Sequence, residues 1–135
     1  MRSRGWRVVA VSVATLALAG CASQPGLPEF ESDQKPGDVI TGLALDSSTI
    51  DLDVDSSRLV AELDGERIFV VKARGEGRGQ TCLVFAVEDI PNVACSTGLP
   101  LESSTADGTR LYLSPTPPPK DEDWSKESDS VWSMP

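Results

Sequence analysis

The middle of the chain alternates apolar and polar residues with a period of two, which predicts β-strands. Two such runs, at 58–63 and 66–74, flank the dipeptide of Asp64 and Gly65. A two-residue Asp-Gly linker between alternating or β-branched runs is the strongest short-range signal of a β-hairpin. The pattern therefore predicts two antiparallel strands joined by a tight turn.

Two further strands follow from the same pattern. Residues 81–88 are apolar on both faces, which is typical of a central strand covered on both sides. Asp107 and Gly108 then turn the chain into a last strand at 109–114, which is followed by proline. We therefore expect a mostly-β domain, a small antiparallel sheet of four to six strands. An α+β fold is the alternative, because Ser56–Leu63 also fits a short helix with a serine cap.

The segment before the hairpin contains three alternating aspartates. Asp51, Asp53 and Asp55, with Glu62, occupy ligand positions 1, 3, 5 and 12 of a calcium loop, but Ser56 stands where that loop requires glycine. A half-buried strand with an acidic outer face explains every residue of the segment, whereas an ion site explains four. We therefore expect a strand, and keep weak binding of calcium or another divalent cation as the alternative. The apolar face of this strand would consist of Ile50, Leu52 and Val54.

The first 20 residues have the pattern of an export signal. Arg2, Arg4 and Arg7 precede an apolar run from Val8 to Ala19, which is shorter than the roughly 20 residues that cross a bilayer. This run ends in Leu-Ala-Gly-Cys at residues 18–21. The spacing predicts a signal peptide over residues 1–20.

The Leu-Ala-Gly-Cys tetrad resembles the bacterial lipobox. The resemblance implies cleavage between Gly20 and Cys21 and transfer of a diacylglyceryl group to the Cys21 thiol. Two acyl chains, at about 0.8 kcal/mol per buried CH₂, make a stable anchor. We therefore expect a lipoprotein attached by palmitate-like acyl chains to the outer face of the bacterial cytoplasmic membrane. An ordinary secretory signal with a coincidental cysteine is the alternative.

The charge balance restricts the partners. The chain contains 12 basic and 21 acidic residues, and three of the basic ones lie within residues 1–20. The remaining chain therefore has 9 basic and 21 acidic residues, a net charge of −12. Such a surface repels nucleic acid and, apart from the covalent anchor, anionic lipid headgroups, so we expect no nucleic-acid partner. The same charge is compatible with cationic ligands or serves solubility alone.

Composition divides the exported part into three segments. Residues 21–37 and 115–135 are rich in proline and polar residues, which predicts a flexible linker at one end and a disordered acidic tail at the other. Residues 38–114 would form the domain. Trp124 and Trp132 in the tail are candidate anchors for an envelope protein; alternatively Trp132 docks back on the domain, or both are idle.

Cys82 and Cys95 are the two thiols that remain once Cys21 is lipidated. A small exported domain in an oxidising compartment is expected to have a disulfide here, which contributes about 3 kcal/mol. A zinc site is a poor alternative because the chain has no histidine. The same absence excludes Ser-His-Asp and Cys-His nucleophilic sites, so we expect neither an enzyme nor a cofactor.

Residues 55–115 are similar to small exported or lipid-anchored proteins of high-GC Gram-positive bacteria. In that group a Cys-Leu-Val strand is followed by a second cysteine and by a last strand that ends at proline. The resemblance rests on Cys82, Leu83, Val84, Cys95 and Pro115. It implies the fold outlined above and no particular activity. The sequence thus predicts a non-enzymatic binding or accessory module of the cell envelope.

Overall fold

The computed structural model describes residues 26–41, 45, 50–87 and 90–135. The predicted signal peptide, with Gly20 and Cys21, lies outside the described residues. The described residues form eight strands and three short 3₁₀ turns, of which Pro28–Glu31 and Pro36–Asp38 precede the first strand and Gly75–Gly77 lies between the second and third. The strands are β1 Leu52–Leu63, β2 Glu66–Ala73, β3 Thr81–Val87, β4 Ile90–Ser96, β5 Leu101–Ser104, β6 Arg110–Leu113, β7 Ser125–Lys126 and β8 Val131–Met134.

The strands form two antiparallel sheets of four. The first has the order β1-β2-β3-β4, a simple meander, and the second has the order β5-β6-β8-β7. The prediction of a mostly-β antiparallel fold is confirmed, with eight strands in two sheets where the pattern indicated four to six in one. Two of the additional strands, β7 and β8, are short and lie in the segment predicted to be a tail.

The hairpin between β1 and β2 forms as the sequence predicts. Leu63 pairs with Glu66 across the turn, and both central residues have positive φ, 49° at Asp64 and 85° at Gly65. Two positive φ angles give a turn whose twist matches that of the flanking strands. Aspartate and glycine are among the residues that adopt this conformation at low cost, which explains why this dipeptide fixes the register.

The two sheets share one hydrophobic core. Buried side chains of β2 and β3 in the first sheet pack with buried side chains of β6 and β8 in the second. The other face of β2 and β3 is also buried, in a second cluster covered in part by Ile40, Leu45 and Ile50. The prediction that residues 81–88 form a strand covered on both sides is confirmed for the side chains of residues 82–85. The shared core contains Ile68, Val70, Leu83, Phe85, Leu111, Leu113 and Val131.

The predicted disulfide is confirmed. Cys82 and Cys95 face each other in the β3–β4 register, and their sulfur atoms are bonded at 2.02 Å. The bond joins two neighbouring strands and lies in the second apolar cluster.

The alternative of a helix at Ser56–Leu63 is wrong, because this segment is part of β1. The strand bulges there: residues 54–57 face a single residue of β2, between the pairs Asp53–Lys72 and Arg58–Val70. The Ser56 hydroxyl donates to the carbonyl of Asp53 at 2.6 Å and accepts from the backbone N–H of Lys72 at 2.8 Å. The serine that resembled a helix cap thus satisfies backbone groups that the bulge leaves unpaired.

The prediction of a flexible linker over residues 21–37 is wrong for its described part. Leu27 is 2% exposed in the shared core, and the Gln34 side-chain amide donates to the Ser57 hydroxyl at 3.0 Å. Asp38 accepts from the backbone N–H of Leu59 at 3.0 Å. The segment therefore binds along the β1 bulge, whose irregular backbone supplies the hydrogen-bonding groups that a regular strand would use in its ladder.

The prediction of a disordered tail over residues 115–135 is also wrong. β8 lies between β6 and β7, and Val131 is fully buried in the shared core. Before β8, the Glu29 carboxylate accepts from the Ser130 hydroxyl at 2.6 Å and from the Ser128 hydroxyl at 2.9 Å. The domain is thus larger than 38–114, because its described core begins at Leu27 and includes Val131 of β8.

The turn between β5 and β6 is held by Asp107. Its carboxylate accepts from the Thr105 hydroxyl and from the backbone N–H of Thr109 at 3.2 Å. These donors, Thr105 first and then Thr109, hold the pKa of Asp107 below its ordinary value. Asp64 also lies within hydrogen-bonding reach of Asp107, so the β5–β6 turn and the β1–β2 turn lie at the same end of the domain.

We expect this turn to loosen in acid. A carboxyl with a lowered folded-state pKa contributes stability at neutral pH, and the contribution is lost as the pH falls below about 4, through the folded pKa. In an amide NMR titration, the Thr109 peak should shift with a midpoint below the ordinary aspartate value. The Asp107→Asn variant should show no such step, and a midpoint at or above the ordinary value would contradict the assignment.

Candidate functional site

The four acidic residues proposed for a cation site lie along β1 or just before it and do not form a cluster. Asp51 pairs with Arg74 at 3.2 Å, and Glu62, near the other end of the strand, lies 3.9 Å from Arg67. Asp53 precedes the bulge and Asp55 lies within it, whereas Glu62 lies beyond it. Within residues 26–41, 45, 50–87 and 90–135, no group of three or more His, Cys, Asp or Glu side chains is placed to hold a metal ion.

The two tryptophans proposed as partner anchors lie on one face of the second sheet. Trp132 of β8 is 7% exposed and packs edge-on against Tyr112, with ring centroids 6.2 Å apart. Trp124 lies 5.5 Å from the same tyrosine and under the guanidinium of Arg110. Trp132 therefore docks on its own domain, as the alternative reading held, and has little surface left for a partner. Trp124 remains half-exposed.

A cleft lies at the end of the first sheet, where β2 and β4 finish and β3 starts. Its volume is about 360 Å³, within the range of small-molecule sites. Lys72 and Ala73 of β2 line one side, and Ser96 at the end of β4 lines the other. Leu27 and Phe30 of the N-terminal segment close it from the side.

Two basic residues, Lys72 and Arg78, line this cleft, and the local chain geometry places Arg78 there. The segment from β2 to β3 makes a 3₁₀ turn at Gly75–Gly77, and Gly79 then takes a φ of 91°, which side chains rarely adopt. This tight return brings Arg78 beside Thr81 on the cleft wall. The Lys72 ammonium lies 4.8 Å from the centre of the Phe30 ring, a cation–π contact.

The lining of the cleft contains apolar, basic and neutral hydrogen-bonding side chains. Its walls are apolar at Leu27, Phe30 and Leu99, and they carry the two cations Lys72 and Arg78. Side-chain amide and hydroxyl groups complete the lining at Gln80, Thr81, Ser96 and Thr97. None of the described residues that line it is acidic. Such a site is suited to bind a ligand with an apolar part and a negatively charged or hydrogen-bonding head.

The sequence reasoning missed this cleft. The pattern along the chain places Lys72 in the predicted strand at 66–74 and indicates no role for Lys72 or Arg78. The signal that could have indicated the site is the pair of apolar residues in the supposed linker, Leu27 and Phe30. Apolar side chains at a spacing of three in an otherwise polar segment favour docking on a domain over free solvation.

A comparison of the chain with protein-family models, with curated proteins and with solved structures gives no match in any of the three. In the part of the chain that the structure describes, no helix has both the length and the apolar character needed to cross a membrane.

Proposed function

We propose that this chain is a lipid-anchored protein of the cell envelope that acts as a non-enzymatic binding module, with the cleft beside Leu27 and Phe30 as its ligand site. The observation that carries the proposal is the position of the cleft relative to the predicted anchor. Gly26 lines the cleft and lies five residues after Cys21. Five residues span at most about 18 Å, so an anchor at Cys21 holds the cleft close to the headgroups.

The opposite end of the domain would then point away from the membrane. β2 runs from the Asp64–Gly65 turn to the cleft, and eight strand residues extend about 25 Å. The β5–β6 turn lies at the distant end with Asp64. This arrangement supports a module that takes its ligand at or near the membrane surface.

The ligand site is tested with a neutral amphiphile, octyl glucoside, below its micelle concentration. In amide NMR spectra of residues 21–135 with Cys21→Ser, we expect saturable shifts at Thr81, Ser96 and Thr97. Thr97→Trp should fill the cleft and abolish them. Ala106→Trp, at an equally exposed position on the distant turn, should leave them intact. Shifts that are absent, or that survive Thr97→Trp, would contradict the cleft as the site.

The anchor is tested separately in cells. The full chain should incorporate an alkyne-labelled fatty acid and sediment with membranes, because two acyl chains give stable attachment. Cys21→Ala should lose both the label and the membrane fraction. Label and membrane association that persist in Cys21→Ala would rule out lipidation at this residue.

A further inference from the structure

Five of the described basic residues have no carboxylate partner, and two of these five, Lys72 and Arg78, lie together on the cleft wall. Four other basic residues pair with nearby carboxylates: Arg67 with Glu62, Arg74 with Asp51, Arg110 with Glu102, and Lys126 with Asp129. Among the described residues, neither Lys72 nor Arg78 forms such an ion pair. Asp53 is the register partner of Lys72, yet the Lys72 ammonium lies over the Phe30 ring.

Positive charge without a carboxylate partner, on the wall of a cleft, favours an anionic ligand. In a chain whose net charge from Cys21 onward is −12, most of the surface repels anions, whereas these two cations attract them locally. A guanidinium matches the paired oxygens of a phosphate, and an ammonium adds a compact charge. The hydroxyls of Thr81 and Thr97, also on the wall, can donate further hydrogen bonds to the same group.

The rest of the lining indicates that the anion is part of an amphiphile. Phe30 and Leu99 are half-buried and form an apolar part of the cleft wall, which a free inorganic anion would leave exposed to water. An acyl-glycerol moiety attached to the phosphate would cover this wall and remove apolar area from water.

We propose that the cleft binds the phosphate headgroup of an anionic phospholipid, held by Lys72 and Arg78, with its glycerol and upper acyl carbons against Phe30 and Leu99. This inference rests on the proposed function, because an anchor at Cys21 supplies the membrane within reach. The tether of at most about 18 Å favours a lipid over a soluble phosphate as the source.

The test uses dihexanoyl phosphatidylglycerol, a soluble anionic phospholipid, on residues 21–135 with Cys21→Ser. Amide NMR titration should show saturable shifts at Thr81, Ser96 and Thr97. The double variant Lys72→Gln/Arg78→Gln should bind at least about tenfold more weakly, since each basic residue near a lipid phosphate contributes roughly a fivefold factor. The charge-matched variant Lys35→Gln/Lys120→Gln, with both changes outside the cleft, should bind within about twofold of the parent chain.

Four outcomes would overturn the inference. Equal losses in the two double variants would mean that net charge alone is responsible. Inorganic phosphate binding as tightly as the phospholipid would make a free phosphate the ligand. If octyl glucoside binds at the cleft as tightly as the anionic lipid, the inference of an anionic headgroup fails. The proposed function as a binding module is then not contradicted. If neither amphiphile binds, the proposed ligand site fails as well.

Discussion

Removal of the Cys82–Cys95 disulfide is expected to lower the free energy of unfolding by about 2–4 kcal/mol. The two cysteines are 13 residues apart, and opening this loop returns conformational freedom to the unfolded chain. Cys82 is also fully buried, so its replacement loses packing against the second apolar cluster. The measurement is urea unfolding of the Cys82→Ala/Cys95→Ala variant and of the oxidised parent chain.

A reductant supplies the control. Dithiothreitol should shift the urea midpoint of the parent chain towards that of the double variant and should leave the variant unchanged. Equal midpoints for oxidised parent and variant would mean that strand pairing between β3 and β4 holds without the bond.

Trp132→Ala is expected to have an effect of similar or greater size, about 3–5 kcal/mol. The side chain is almost fully buried on β8 and packs against Tyr112, so its truncation leaves a cavity at the centre of the second sheet. Thermal or urea unfolding followed by circular dichroism measures the loss without relying on tryptophan fluorescence.

The second tryptophan of the C-terminal segment is the matched control. Trp124 is half-exposed and lies outside the strands, so Trp124→Ala should cost clearly less than Trp132→Ala. A disordered segment would give a different pattern, with both substitutions within about 0.5 kcal/mol of the parent chain. That result would contradict the placement of β8.

Local signals explain why part of this fold could be predicted from the sequence. The Asp64–Gly65 dipeptide fixes its own turn through two positive φ angles. The apolar run at 82–85 has buried side chains on both faces of β3. These features depend on residues within a few positions of each other, which sequence patterns describe well.

The C-terminal strands could not be predicted because their signal is short and their partner is distant in the sequence. β8 has four residues, and β7 has two, so neither shows a convincing period. Arg110 of β6 pairs with Met134, across a proline-rich acidic stretch whose composition is typical of disorder. Burial of Val131 in a core that β6 provides outweighs that composition.

The cleft could not be predicted from the sequence because its walls are also distant from one another along the chain. Its walls come from the N-terminal segment, the β2–β3 turn and the end of β4, and their approach depends on the register of the whole first sheet. Lys72 and Arg78 each resemble an ordinary solvated basic residue in the sequence. Their shared environment exists only once the Leu27 side chain is docked in the core.

In the proposed arrangement, the end of the domain that carries the anchor and the cleft faces the membrane. We would attach a fluorophore to Thr97→Cys or to Ala106→Cys in the lipidated protein, and reconstitute each in vesicles that contain a lipid with a nitroxide on its headgroup. Thr97 lies on the cleft wall, whereas Ala106 lies on the distant β5–β6 turn. We expect the fluorophore at residue 97 to be quenched much more strongly than the fluorophore at residue 106. Equal quenching at the two positions, or stronger quenching at Ala106, would contradict it.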